Sequence, residues 1–188
     1  MLGSLSFKCV CVALLIVQQV IIARLRRLVT HDKLTGVYNR YYFEKCLKRL
    51  NGRRYSPLTL IFADMDKLKE VNDAYGHAQG DEVLIAIAKL LKERAPRRAI
   101  VSRIGGDEFV VVVPRYDELK TMNYVREVKS DILLKQKDFN DMLSASIGFA
   151  IHKYKDETVE GALKRADLAM YAEKELARDK SRPYHQMN

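Results

Sequence analysis

Apolar and polar positions along this chain change rhythm several times, and each rhythm predicts an element. From Leu2 to Ala23 apolar residues dominate, interrupted by Lys8 and by Gln18-Gln19, and Arg24-Leu25-Arg26-Arg27 follows. Tyr41, Phe43, Cys46, Leu47 and Leu50 recur at helical spacing, predicting a helix over Arg40–Leu50 that Asn51-Gly52 ends. Leu58–Ala63 is a short apolar run, predicting a buried strand that stops at Asp64. Lys67–Tyr75 predicts a helix ending at Gly76, and Asp81–Arg94 a strongly amphipathic one through Val83, Leu84, Ile87, Leu90 and Leu91. Ala99–Ile104 and Phe109–Val113 are β-rich runs on either side of Gly105-Gly106-Asp107, the pattern of a hairpin. Helix Asp117–Lys135, strand Leu143–Ile151 and helix Val159–Ala177 complete the series. A hairpin mixed with strands joined by helices predicts an α/β fold, a mixed central sheet flanked by helices and preceded by an N-terminal helix. Residues 1–30 form one unit and 31–188 a single domain, with no internal repeat or low-complexity linker.

The N-terminal unit supports two readings. Residues 2–23 would just span a hydrocarbon core of ~30 Å, and the arginines behind them would hold that end in the cytoplasm. Alternatively, Leu14, Ile21 and Leu28 repeat every seven residues with Leu25 on the same side, as a helix pairing in parallel with its own copy requires. No small-residue cleavage site follows the apolar run, so a secretory signal is disfavoured.

Composition excludes several classes. Hydrophobic residues make up 48% and charged residues 30%, with 9 Gly and 4 Pro, which excludes disorder, collagen-like repeats and a polytopic membrane protein. Three cysteines, Cys9, Cys11 and Cys46, cannot pair completely, which argues against a disulfide scaffold and for a reducing compartment. Of the net charge of +9, residues 1–30 supply Lys8, Arg24, Arg26 and Arg27 without a single acid. The modest excess left to the domain is no dense basic stripe, so nucleic acid is not an expected partner; polyanionic small molecules such as nucleotides fit equally well, and charge alone does not decide.

Acids gather where strands end. Asp64 and Asp66 close the first strand, and Asp107-Glu108 stand at the hairpin tip. If that strand and the hairpin are neighbours, the carboxylates converge into a set of hard oxygen donors suited to magnesium, which is held by one or two carboxylates plus phosphate oxygens. The competing reading is that such acids solvate turns. Gly105 and Gly106 could let a ligand approach the backbone or simply serve a tight hairpin. Asn72 and Asp81 flank a turn at Tyr75-Gly76-His77, and an amide with a carboxylate can read a guanine edge; both could equally cap helices. His77 is expected to be a turn or packing residue. Lys174 and Arg178 share a helix face and could grip a polyphosphate, although basic residues suit any helix C-terminus.

Taken together, these blocks resemble a family. Arg103-Ile104-Gly105-Gly106-Asp107-Glu108-Phe109 is similar to the signature that names the GGDEF diguanylate cyclase domains of bacteria. The same order holds for His31-Asp32-Lys33-Leu34-Thr35-Gly36 with Asn39-Arg40, and for Asp64-Met65-Asp66-Lys67-Leu68-Lys69 with Asn72-Asp73. Gly76-His77, Gly80-Asp81, Ser146-Ile147-Gly148, Ala166-Asp167, Met170-Tyr171 and Lys174 continue it, so the likeness covers residues 31–178. It implies a palm-like nucleotidyl cyclase fold and condensation of two GTP into cyclic di-GMP by two facing domains of a homodimer, in the bacterial cytoplasm or held to the inner membrane by residues 2–23. Asp64, the Met65 carbonyl and Asp107 would coordinate Mg2+ or Mn2+, with Glu108 serving a second metal or the attacking hydroxyl. Asn72 and Asp81 would read guanine; Lys69, Lys174 and Arg178 would hold the triphosphate; Gly105 and Gly106 would let the nucleotide lie against the hairpin. Leu68 stands where the family usually has Phe, an apolar exchange expected to be tolerated.

Many members carry an Arg-x-x-Asp motif before the signature that binds product and shuts the enzyme down. Here Pro96 and Ala99 stand at those places, so no such inhibition site is expected, although Arg97 and Arg98 lie beside it. The rival readings are a catalytically weak GTP- or cyclic di-GMP-binding sensor, a cyclase acting within one nucleotide, and a purely structural domain. Loss of Asp64, Asp107, Glu108 or the guanine readers would favour the sensor, and all are present.

Overall fold

A computed structural model describes residues 2–50, 55–153 and 157–180; the expected helix stop at Asn51-Gly52 and the end of the domain at 181–188 lie outside the described residues. Helix α1 runs from Leu2 to Thr30, 29 residues. A two-residue strand β1 (Tyr38–Asn39) leads into α2 (Arg40–Leu50). Then come β2 (Leu58–Met65), α3 (Leu68–Tyr75), α4 (His77–Arg94), β3 (Ile100–Arg103) and β4 (Glu108–Pro114). Helix α5 (Glu118–Lys135), a 3-10 turn (Gln136–Phe139), β5 (Ala145–His152) and α6 (Val159–Lys180) complete the chain.

The sheet has five strands in the order β1-β3-β4-β2-β5, with β1 parallel to β3 and every other neighbour antiparallel. It is the mixed sheet that the hydrophobic pattern predicts. Strand β2 sits between β4 and β5, and all eight of its residues are buried, because helices cover both faces. Side chains alternate across it. Ile61, Ala63 and Met65 join Val111, Val83, Ile87, Tyr124 and Val128 in a core beneath α4 and α5. Leu58, Leu60 and Phe62 join Val110, Val112, Phe43, Leu47, Ala166 and Met170 beneath α2 and α6. Each large apolar side chain so buried stabilises the fold by ~1.5–3 kcal/mol. The next residue of this second series along β2 is Asp64, and Glu108 holds the same parity on β4, so the strand period sends both carboxylates toward the α2/α6 face.

Helix α1 exposes its apolar side chains: Leu14, Ile21, Leu25 and Leu28 are each more than half exposed. No helix among the described residues is long and apolar enough to cross a membrane. That departs from the expected span over residues 2–23. Lys8 and the Gln18-Gln19 pair dilute the apolar run, and three arginines follow it within the same helix.

Helix α4 also departs from expectation. It begins at His77, four residues before Asp81, because Gly76 takes a left-handed φ of 86° that both ends α3 and starts α4. His77 is therefore an exposed first-turn helical residue, not part of a turn, and Asp81 stands inside the helix, where it caps nothing. Tyr38–Asn39 has no hydrophobic run to announce it and is a strand only through pairing with Ser102 and Arg103.

Candidate active site

Strand β2 lies beside the hairpin, so the condition for carboxylate convergence is met: Asp64 and Glu108 are Cα partners in the β2–β4 ladder. The Met65 N–H donates to the Asp107 carbonyl at 3.0 Å, carrying the pairing one step past the last strand rung. Asp64 is 8% exposed and accepts a charge-assisted hydrogen bond from the Lys174 ammonium of α6. Burial raises the Asp64 carboxyl, the Lys174 hydrogen bond opposes that, and Asp107 and Asp66 push it up again; the balance lies above the ordinary carboxylate range. Glu108 is also raised, first by burial and then by the negative charges of Asp107, Asp64 and Asp167, with Arg40 opposing. Asp64 and Glu108 thus each feel the charge of Asp107 and of further acids nearby, and one lysine stands directly on Asp64. Like charges held together in a partly dry place are costly to the fold, which is the usual mark of a functional site.

The glycines of the hairpin differ in what they make room for. A Cβ on Gly105 would lie 2.2 Å from the Glu108 carboxylate oxygen Oε2, so the bare Cα there accommodates Glu108 itself. At Gly106 nothing lies within 4 Å of such a Cβ, and that position faces open space. The tip is held by Arg103, whose guanidinium donates to the Gly106 carbonyl at 2.6 and 3.1 Å.

Away from the carboxylates, Asn72 on α3 and Asp81 on α4 lie on either side of the α3–α4 junction. A Cβ on Gly80 would fall 2.0 Å from the Asn72 amide oxygen, so the small residue beside Asp81 gives the Asn72 side chain its place against α4. Leu68 is half-buried and packs on the core, and Lys69 is exposed one residue on. Arg178 is exposed one turn beyond Lys174 and meets Glu175 at 3.0 Å. Pro96 and Ala99 form a tight turn of their own, the Ala99 N–H donating to the Pro96 carbonyl at 2.8 Å.

Several residues hold the site in ways that the sequence did not announce. Asp66 is expected beside Asp64, yet it accepts from the hydroxyls of Ser144 at 2.6 Å and Ser146 at 2.7 Å and so ties the end of β2 to β5. Asp32 accepts from the Thr35 N–H at 2.9 Å, the Thr35 hydroxyl at 2.7 Å and Arg103 at 3.2 Å. The turn after α1 is thereby joined to the signature hairpin. Asn39 donates its amide to the Val29 carbonyl at 2.8 Å and accepts from the Tyr42 N–H at 3.0 Å, fastening the end of α1 to the start of α2. Glu173 accepts from the Ile147 N–H at 2.7 Å and pairs with Lys129, anchoring the helix that carries Lys174. Asp32, Asn39 and Arg103 all lie in the quoted motif blocks, which was the available signal.

Known proteins resemble this chain in sequence and in fold. The family model described as "Diguanylate cyclase, GGDEF domain" matches residues 29–180. "Diguanylate cyclase TpbB" of Pseudomonas aeruginosa is 35% identical over 161 residues, covering 81% of this chain and 37% of that protein. "Probable diguanylate cyclase DgcC" of Escherichia coli is 33% identical over 164 residues, covering 84% of this chain and 44% of that protein. The chain therefore spans less than half the length of these curated relatives. Among solved structures, the coiled coil and GGDEF domain of DgcB from Caulobacter crescentus in complex with c-di-GMP aligns with a TM-score of 0.75 at 27% identity, covering 91% of this chain and 92% of that one. Carboxylates in register, a hairpin shaped around its own glutamate and a family match across nearly all of the folded domain agree, and the chain belongs to the GGDEF domain family of diguanylate cyclases.

Proposed function

We propose that the chain is the catalytic part of a diguanylate cyclase that condenses two GTP into cyclic di-GMP and releases two pyrophosphates. The observation that carries this is the registered Asp64–Glu108 pair with Asp107 beside it and Lys174 on Asp64. Such a pole of negative charge with a mobile ammonium is suited to a metal–triphosphate. The donors fit a hard divalent cation that brings phosphate oxygens with it. Among the described residues no three His, Cys, Asp or Glu side chains form a metal cage by themselves, and the Lys174 ammonium already stands in for a cation at Asp64. Asp64, Asp107 and the Met65 carbonyl would hold Mg2+ or Mn2+, which when bound offsets charge on the transferring phosphoryl group.

The remaining roles belong to this chain's own side chains. Asn72 and Asp81 bind the guanine edge across the α3–α4 junction. Lys69, Lys174 and Arg178 hold the phosphates, and Gly106 leaves the hairpin open for the nucleotide to lie along it. Glu108 receives the proton of the attacking 3′ hydroxyl or supports a second metal. An O–P bond forms at the α-phosphorus of the facing GTP, and the bond to pyrophosphate breaks. Most of the rate comes from positioning. One site holds one GTP, so the productive species is a homodimer, and the heptad face of α1 is suited to hold two copies in parallel, much as a coiled coil accompanies the Caulobacter relative. Purified protein given GTP and magnesium should form cyclic di-GMP and pyrophosphate. Absence of any cyclic dinucleotide at high protein concentration would replace this reading with that of a nucleotide-binding sensor.

A further inference from the structure

Lys174 is the only described cation that pairs with a carboxylate of the candidate metal site. Its side chain is 27% exposed and that of Asp64 11%, so the pair lies partly sheltered, with Asp107 and Asp66 also bearing on the ammonium. The ammonium thus sits on Oδ1 of Asp64, an oxygen for which a metal held by this carboxylate would compete. It sits on a long flexible stem, and Arg178 stands one turn further along the same helix face. We infer that Lys174 is a built-in counter-ion: it blocks Asp64 toward divalent cations in the nucleotide-free protein and leaves for the triphosphate, so that metal and nucleotide enter together rather than metal first. This rests on the metal reading proposed above and adds an order of assembly to it. The carboxylates would otherwise repel one another or collect free cations. The lysine satisfies them until a ligand arrives that carries both the replacement cation and an anionic partner for the ammonium.

The test is Mn2+ binding to nucleotide-free protein, followed by electron paramagnetic resonance of the free ion. The wild type should bind weakly, and Lys174→Gln and Lys174→Ala should each bind about tenfold more tightly, a change of about 1.4 kcal/mol from losing one competing charge at Asp64. Lys174→Arg, which keeps a cation, should remain weak, and adding Asp64→Asn to Lys174→Gln should abolish the gain. Circular dichroism verifies that each variant is folded. Equal Mn2+ affinity in wild type and both neutral variants would overturn the counter-ion while leaving the metal site standing. A gain that persists without Asp64 would overturn it too, as a general charge effect. Mn2+ binding to no form, even with a non-hydrolysable GTP analogue, would overturn both this inference and the metal reading beneath it.

Discussion

Asp64 on β2 and Glu108 on β4 are Cα partners, two carboxylates opposed across neighbouring strands on the same face of the sheet. Each is raised first by burial; Asp107 and Asp66 add to the rise at Asp64, and Asp107, Asp64 and Asp167 to that at Glu108. The sign of the stability effect follows. A carboxyl whose folded value lies above its unfolded one leaves the folded state holding more protons, so stability falls as pH rises from the unfolded toward the folded value and stays lower above it. Glu108→Gln should therefore raise the melting temperature of the ligand-free protein at neutral pH, by about 1–2 °C in a domain of this size. It should also remove most cyclase turnover. Calorimetric melting in the absence of metal checks the first, and a drop in melting temperature would show that Glu108 is not a destabilising charge.

The hydrogen bond that Arg103 donates to Asp32 has the opposite sign, and the same guanidinium donates to the Gly106 carbonyl. Burial would raise Asp32, but the hydrogen bonds from Thr35 and the charge of Arg103 outweigh it and leave it depressed. A depressed carboxyl contributes stability above its unfolded value, and that contribution disappears as pH falls through the folded value. Asp32→Asn should cost about 1 kcal/mol at neutral pH, since the pair is only partly sheltered. Urea unfolding of both proteins should show the difference closing as pH drops below the ordinary carboxylate range. A difference that does not change with pH would mean that the lost contact is not ionic.

Much of this was legible in the sequence. The apolar run Leu58–Ala63 and the hairpin runs are buried strands because two helical layers cover them, and local hydrophobicity reports such burial directly. The supporting polar contacts were not legible, since they join residues far apart in the chain: Asp66 to Ser144 and Ser146, Asp32 to Arg103. Spacing along one segment carries no record of what lies opposite it. Asp81 invited the role of helix cap because Asp suits a cap, and only the backbone angle at Gly76 places the helix start four residues earlier. In the same way, β1 owes its existence to a partner strand rather than to its own two residues.

The two signature glycines should separate in kinetics. A methyl group at Gly105 meets the Glu108 carboxylate, the far end of a flexible side chain, so Gly105→Ala should fold and displace Glu108. Its turnover should fall tenfold or more, about 1.4 kcal/mol in the barrier, with KM for GTP little changed. Gly106→Ala meets nothing within 4 Å in the protein, so any loss must come from bound nucleotide and should appear in KM. Steady-state kinetics on both variants decide, and the reverse assignment would mean that Gly105 is the residue that faces GTP.

Leu14, Ile21, Leu25 and Leu28 line one exposed side of α1, and each would be covered by a parallel copy. Tethering two domains raises the local concentration of one for the other. Ile21→Glu combined with Leu28→Glu should place like charges in that seam and make specific activity fall on dilution, with the monomer appearing in ultracentrifugation. Activity per chain that depends on concentration no more in the variant than in the wild type would assign the exposed face to something other than a second copy.

Product should bind poorly in front of the signature. Pro96 supplies no guanidinium and Ala99 no carboxylate, and the turn between them is closed by its own backbone hydrogen bond. Arg94 is committed to Asp131, at 2.6 and 2.8 Å, and to Glu127, so it cannot substitute. What remains is a cavity of about 260 Å³ whose lining includes His31, Lys92 and Arg97 and no acid. Cations alone attract phosphate through charge that salt screens, and reading guanine needs an acceptor for its N–H groups. Cyclic di-GMP should therefore bind weakly and in a salt-sensitive way, and the cyclase should run with little product inhibition. Calorimetry on Asp107→Asn, which makes no product of its own, measures this. Tight binding that survives high salt and is lost in Arg97→Ala or Arg98→Ala would mean that the arginines read the base without a carboxylate partner.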